Sequence, residues 1–419
     1  MAEEQASHLG RILSKLRSPA FLALIDQVIV SGGNFFCVVF IGRLLGESSL
    51  GVYGYSFGVA IFLTMVTQVF FGQYLLLKRA DGSLQGDQGN LHVLVFINFI
   101  ISLVVFLCVY FGFRTILDVS DMTCALLAFF PVAQGFQDFY RKLAYYDDTY
   151  VAPFKNSVVV YGVRVAALVV LMPSSLNQVL MVLIGSSLII FLMEFGAFIK
   201  SFAVCSRAPS VVRELVSESK YLLINLPVQW GWGQSPIYII GFVLGAKYSG
   251  VFLAVRSLVK IFNIMLEMVP TYVGRYLADS LSKSEEDYLR GIKNVLILGF
   301  IVWLPLMVVF YVYGEQALKI VFGDAYIGNG RFLALLWLYN LVNFLVSVVG
   351  VTKRIRKETA SIMFSHCVAL AVLLLSGYAL LTASMDIEMM GISMVISGLV
   401  LYSALKLTYR DEERLPTRG

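Results

Sequence analysis

The stretch 251–273, VFLAVRSLVKIFNIMLEMVPTYV, carries Arg256, Lys260, Asn263 and Glu267 in an otherwise apolar run. Their spacing is i, i+4, i+7 and i+11, so a helix would align all four on one stripe. Two cations one turn apart repel each other, and they do so more strongly in a low dielectric than in water. Such a stripe is tolerable only if it faces water, an acidic partner or an anionic ligand. Arginine suits bidentate contact with phosphate, and lysine suits point-charge neutralisation. The chemistry on offer is therefore the holding of an anion.

Other polar groups interrupt apolar runs in the same way. Asp26, Asn34 and Cys37 share one side of the run 20–42, with Gly33 beside them. Asn225, Gln229 and Trp232 lie in 221–245, which Pro227 and Pro236 are expected to bend. Proline in a spanning helix frees a backbone carbonyl, best tolerated beside a cavity or a neighbouring helix. Gln68 ends a further apolar run, and Arg164 and Glu194 each stand inside one. An ionisable side chain at mid-membrane costs roughly 2.5–3.5 kcal/mol on insertion scales, so such residues usually face a cavity. Arg164 and Lys260 sit near mid-depth, where reaching the interface is hardest. Arg256 is closer to an edge, and Glu194 reads as structural. Asp26 is expected to face a hydrated cavity and to balance Arg256 or Lys260 when no ligand is present.

The elements that position these groups follow from hydropathy. Of 419 residues, 58% are hydrophobic and 14% charged, with a mean hydropathy of +0.80. A soluble domain has about 25% charged residues, so the chain reads as an all-α membrane protein. Twelve runs approach the roughly 20 apolar residues that a spanning helix needs: 20–42, 52–77, 91–113, 122–139, 154–172, 177–199, 221–245, 251–273, 292–313, 332–351, 360–382 and 387–406. With the N-terminus inside, alternation puts 24 Lys/Arg on the cytoplasmic side and 5 outside. That asymmetry sets the orientation, with both termini cytoplasmic and the chain in the cytoplasmic (inner) membrane. The domains expected are an amphipathic segment (1–19) lying on the inner membrane surface, a six-helix bundle (20–200), a linker (201–220), a second six-helix bundle (221–406) and a tail (407–419). The first 20 residues do not read as a cleavable signal peptide.

Several classes of function fall away. The net charge of +5 fits basic cytoplasmic loops and gives no reason to expect nucleic acid. The five cysteines form no CxxC pair and the three histidines no metal motif, so no metal or other cofactor is expected. A phosphate-binding GxxxxGK[ST] loop is missing, which argues against direct ATP use. The loops are short, so any function must be built within the bundle.

The chain also repeats itself. GRLLGESSLGVY (42–53) matches GFVLGAKYSGVF (241–252) at Gly42, Leu45, Gly46, Gly51 and Val52, each 199 residues before its counterpart. The same offset pairs Asp26 with Asn225 and Gln68 with Glu267. Six spans separate the copies, so both halves share one orientation, a parallel repeat about an axis along the membrane normal.

At this point the residues resemble a known family. IDQVIVSGGNFFCVVFIGRLLGESSLGVYGYSF, and ALKIVFGDAYIGNGRFLALLWL at 317–338, are similar to lipid-linked oligosaccharide flippases. These form the polysaccharide transporter branch of the multidrug/oligosaccharidyl-lipid/polysaccharide exporter superfamily. The resemblance implies two pseudo-symmetric six-helix bundles around a central cavity, lined by spans one, two, seven and eight. It implies a polyprenyl-pyrophosphate-linked oligosaccharide moved from the inner to the outer leaflet for O-antigen, capsule or exopolysaccharide synthesis. The partners implied are that lipid-linked oligosaccharide, membrane lipids, and polysaccharide polymerase and chain-length regulator proteins. On this reading Arg256, Lys260 and Arg164 neutralise the pyrophosphate. Asn34, Gln68, Asn225, Gln229, Trp232 and Asn263 contact sugars or keep the cavity wet, and Trp232 could stack on a sugar face. Asp26 and Glu267 could carry an H+ or Na+ gradient or serve as counter-charges. The alternatives are a multidrug/toxin extrusion antiporter, whose cavity would more often be acidic, a peptidoglycan-precursor flippase, which usually has two further spans, and a membrane glycan polymerase or ligase, which usually has a larger outer loop.

Overall fold

A computed structural model describes residues 19–69, 88–146, 151–194, 196, 199, 208–262, 266, 269, 273–356 and 358–410. Thirteen α-helices occur among them: α1 (Pro19–Leu44), α2 (Gly46–Thr67), α3 (Gln88–Ile116), α4 (Asp121–Tyr146), α5 (Val151–Leu171), α6 (Leu176–Met193), α7 (Ala208–Leu244), α8 (Ala246–Lys260), α9 (Gly274–Leu281), α10 (Glu285–Phe322), α11 (Gly330–Ile355), α12 (Thr359–Ser384) and α13 (Glu388–Arg410). A 3-10 turn, Asp324–Tyr326, links α10 to α11, and the described residues hold no strand.

Each expected span overlaps one of these helices. Among the described residues, nine helices are long and apolar enough to cross a membrane. The three other expected spans each fall short for a reason. Gln134, Gln137 and Asp138 lower the hydropathy of α4, and Asn225, Gln229 and Gln234 that of α7. Unbroken α8 has only 15 residues. Two boundaries differ from the sequence reading. At 37 residues, α7 is about 55 Å long at helical rise, and it begins inside the stretch read as a linker. At 38 residues, α10 also exceeds the roughly 30 Å hydrocarbon layer. Its start is fixed chemically: the Ser284 hydroxyl accepts from the Asp287 N–H at 3.0 Å, and Glu285, Glu286 and Asp287 suit the positive end of the helix dipole.

The chain divides into two compact units. The first takes residues up to Ile41 and Ser56–Leu226, and the second takes Gly42–Tyr55 and everything from Pro227 on. In the first, α4 packs against α3, α5 and α6. Its apolar core joins Val93, Leu94 and Ile97 of α3 to Val132, Phe136 and Phe139 of α4. In the second, α11 packs on α8, α10, α12 and α13, and Val342, Val346, Ile362, Ala369, Leu401 and Leu405 form a core. The apolar side chains Ile297, Leu298, Ile301, Leu304 and Val308 of α10 are exposed, as lipid contact requires.

The repeat has a structural counterpart within the second unit. Gly46 and Gly245 both adopt left-handed backbone, with φ +82° and +90°. Only glycine does this without steric cost, and each marks the break between consecutive helices, α1–α2 and α7–α8. Five residues on, Gly51 and Gly250 let the two turns cross. A Cβ on Gly51 would overlap the Ala246 carbonyl, and one on Gly250 would overlap the Glu47 carbonyl. Ala246 and Glu47 are themselves 199 apart, so the contact is reciprocal. The Tyr55 hydroxyl shares a hydrogen bond with Ser249 at 3.0 Å, and Tyr238 donates to the Tyr55 carbonyl at 2.8 Å.

Candidate functional site

In the first unit the polar groups form two clusters. One surrounds Arg164 of α5, which is 1% exposed. Its Nε donates to Ser186 at 2.9 Å. Its Nη2 donates to Ser187 at 2.7 Å and Gln137 at 3.1 Å, with longer contacts to Gln134 and the Leu183 carbonyl. The guanidinium also lies 4.7 Å from the Tyr161 ring centre. Tyr161 fits against α1 because Gly33 has no side chain; a Cβ there would overlap the ring. Each of these partners is neutral. Through these bonds Arg164 ties α4, α5 and α6 together.

The second cluster answers where the Asp26 charge goes. Asp26 is 1% exposed and pairs with Arg141 of α4 at 3.0 Å. Arg141 reaches Asp138 as well, at 3.5 Å. The Thr64 hydroxyl of α2 donates to Asp138 at 2.7 Å, and Lys142 donates to the Thr64 carbonyl at 3.3 Å. The structure gives Asp26 the partner Arg141 within its own unit; Arg256 and Lys260, which the sequence reading expects it to balance, belong to the second unit. Gln134, Gln137, Asp138 and Arg141 carry no weight in that reading. Their spacing of i, i+3, i+4 and i+7 is the available signal, but hydropathy ends the span at 139 and leaves Arg141 in a loop.

In the second unit, Arg256 of α8 is half-buried. Its Nη1 donates to Gln234 of α7 at 2.9 Å, and its guanidinium lies 5.7 Å from the Phe252 ring. It also stands within electrostatic reach of Tyr339 on α11. Tyr339 in turn meets Trp232, with ring centres 5.8 Å apart, and Trp232 meets His366 of α12 edge-on at 5.8 Å. Sequence reasoning misses Gln234, Tyr339 and His366, which lie far apart in the chain without a shared motif. Lys260 is exposed at the end of α8, Gln68 is exposed, and Asn34, Asn225 and Gln229 are half-buried or exposed. Asn263 and Glu267 lie outside the described residues. Among the described residues no group of His, Cys, Asp and Glu is arranged to hold a metal ion.

Comparison with known proteins places this architecture. Residues 40–329 match the protein family described as "Polysaccharide biosynthesis protein". Among solved structures, the chain is similar to an inward-facing multidrug resistance MATE family transporter of the MOP superfamily (TM-score 0.71, 8% identity, 92% of this chain and 96% of that one). It is also similar to the lipid II flippase MurJ in an inward closed conformation (0.66, 11% identity, 94% and 87%). A MOP superfamily transporter from Pyrococcus furiosus, described as having a binding pocket of reversed polarity, matches too (0.63, 10% identity, 94% and 94%). No curated protein matches the chain. At such identities the solved structures speak for the fold alone. The family match covers most of the chain and agrees with the multi-pass helical architecture, so this membrane protein belongs to the family described as "Polysaccharide biosynthesis protein".

Proposed function

We propose that the protein is a flippase that carries a polyprenyl-pyrophosphate-linked oligosaccharide from the inner to the outer leaflet of the cytoplasmic membrane, by alternating access through twelve crossings with both termini inside. A pyrophosphate and its sugars cannot cross hydrocarbon unaided, because each unsatisfied polar group costs several kcal/mol there. The protein would substitute fixed polar groups and counter-charges while the prenyl tail stays in lipid. The observation that carries the reading is the family match over residues 40–329. The similarity in fold to a lipid II flippase supports a lipid-linked cargo. Arg256 favours an anion over an organic cation: its hydrogen bond goes to the neutral Gln234 amide, so its charge is still available to a ligand.

We assign the pyrophosphate to Arg256 and Lys260, and give Arg164 the task of holding α4, α5 and α6 in place. An H+ or Na+ gradient would supply the energy, with Glu267 and Asp26, once released from its pair with Arg141, as the acidic groups that respond to it. The surface polysaccharide (O-antigen, capsule or exopolysaccharide) would then be built by polymerase and chain-length regulator proteins. The test is complementation in cells that lack the flippase, using Arg256→Gln and Lys260→Gln singly at matched expression. Surface glycan should fall sharply in each variant. Full display in both would remove the pyrophosphate assignment.

A further inference from the structure

We infer that Gln234 of α7 is the positioning residue that sets the sign of the cargo: its neutral amide holds the Arg256 guanidinium without cancelling the charge, and so keeps that charge for an anion. This rests on the proposed pyrophosphate cargo and names the residue that fits Arg256 for it. The chain itself dictates the pairing. Gly245, with φ +90°, breaks the helix between α7 and α8. Gln234 stands 11 residues before it and Arg256 11 residues after it. Both side chains therefore lie about 16 Å from the turn at helical rise, and they meet at one level. The Arg256 Nη1 donates to the Gln234 amide oxygen at 2.9 Å, and nearer the turn Ser249 of α8 donates to the Ile237 carbonyl of α7 at 3.0 Å. Gln234 is buried.

Other basic side chains away from the surface are treated differently. Arg141 pairs with Asp26 and Asp138, Lys353 with Glu358, and Arg356 with Glu285. Arg164 divides its donors among Ser186, Ser187 and Gln137. Among the described residues, half-buried Arg256 has one hydrogen bond, no ion pair, and the uncharged rings of Phe252 and Tyr339 nearby. A carboxylate of nearly the same shape would be the stronger, bidentate partner, yet α7 supplies an amide. The internal repeat shows that the two residues go together. The 199-residue offset carries Gln234 to Phe35 and Arg256 to Phe57, which stand 11 residues on either side of Gly46 in the same way. The half without the cation also lacks the amide, so the amide serves the guanidinium and not the helix turn.

The consequence for the cargo follows from donor and acceptor types. A guanidinium has no acceptor, so the amide turns its oxygen to Arg256 and keeps only its NH2, another donor, for any third group. The pair thus offers donors and one positive charge. An organic cation is repelled by that charge, and a neutral hydroxyl gains little from it. A phosphate or pyrophosphate oxygen uses both the hydrogen bonds and the charge. Exchanging the amide for a carboxylate would keep the bond to Arg256 and cancel the charge, which separates positioning from simple support of the helix pair.

Calorimetric titration of inorganic pyrophosphate into the purified full chain in lipid nanodiscs tests this. Arg256→Gln should weaken binding by roughly tenfold or more, the scale of a hydrogen bond to a charged group, while Lys319→Gln, which removes an exposed cation paired with Asp324, should leave it unchanged. Gln234→Glu should weaken binding as much as Arg256→Gln does. Gln234→Leu, which loses the bond but keeps the charge, should cost only about threefold. A merely structural glutamine gives the reverse order, because the glutamate variant retains the bond and the leucine variant does not. The exchanged double variant, Gln234→Arg with Arg256→Gln, keeps one cation and one amide and should recover part of the affinity that Arg256→Gln loses; it decides the matter if Gln234→Glu does not fold. A Gln234→Glu protein that binds pyrophosphate as well as wild type or better than Gln234→Leu, or an exchanged variant without recovery, overturns the role of Gln234 alone. Wild-type protein that binds no pyrophosphate, or Arg256→Gln that binds it as wild type does, removes the pyrophosphate assignment and this inference with it.

Discussion

Arg141 lies between two buried carboxylates, so neutralising it should do more harm than neutralising either acid. The distances are 3.0 Å to Asp26 and 3.5 Å to Asp138, with the three side chains between 2% and 12% exposed. At an effective dielectric of about 20, the gross attractions are about 5.5 and about 4.7 kcal/mol. Much of this offsets desolvation, but a broken buried pair still costs about 3–5 kcal/mol because an uncompensated charge remains. Arg141→Met leaves two such charges and should lose at least 3 kcal/mol, a shift of roughly 150-fold in the folded ratio. Asp26→Asn keeps the shape and leaves Arg141 with Asp138, so about 1–2 kcal/mol is expected. The triple variant Asp26→Asn, Asp138→Asn, Arg141→Met strands no carboxylate, leaves Lys142 its bond to the Thr64 carbonyl, and should be more stable than Arg141→Met alone. The assay is the midpoint temperature at which the detergent-solubilised protein loses its monodisperse peak. The expected order is wild type, Asp26→Asn, then Arg141→Met, with the triple variant above the last. A triple variant no better than Arg141→Met would refute the electrostatic account of this cluster.

Three further perturbations probe other parts of the structure. Gly51→Ala and Gly250→Ala should each force the crossing turns apart, lowering folded yield and glycan display together, and Gly112→Ala, where a Cβ meets nothing, should do neither. Lys353 is fully buried on Glu358 at 2.8 Å, so Lys353→Met should cost about 3–5 kcal/mol in the same thermal assay, and Lys353→Met with Glu358→Gln should recover part of it. Arg164→Lys keeps the charge but cannot reproduce the fork over Ser186, Ser187 and Gln137; it should lower the unfolding temperature almost as much as Arg164→Met, whereas a purely electrostatic role would spare the lysine variant.

The helical, membrane-spanning character is legible because a soluble fold rarely uses so many apolar runs of bilayer-crossing length. The repeat at the α1–α2 and α7–α8 breaks is legible through glycines, since Gly46 and Gly245 hold a backbone conformation that few other residues adopt. Helix ends are less so: α7 and α10 continue past the apolar run into polar sequence that hydropathy reads as loop. That same effect hides the partner of Asp26. Arg141 stands 115 residues away, past the apolar part of α4, and only the packing of α1 on α4 brings them together. Arg164 is conspicuous as a charge in an apolar run, but its shell is not: Gln134 and Gln137 fall where hydropathy ends the span, and the Ser186–Ser187 pair is small and neutral among apolar residues. Trp232 stands out by type, while His366 and Tyr339 gain meaning only by standing beside it.

Translocation itself is the most direct test. The purified full chain would be reconstituted into liposomes with undecaprenyl-pyrophosphate-linked oligosaccharide from polysaccharide-producing cells, placed in both leaflets. A membrane-impermeant glycosidase added outside reads which glycans are reachable. The account predicts that cleavage passes the outer-leaflet fraction and approaches completion with wild-type protein, and that Arg256→Gln with Lys260→Gln stops near that fraction. Cleavage that halts at the outer-leaflet fraction with folded wild-type protein under an imposed H+ or Na+ gradient would contradict it.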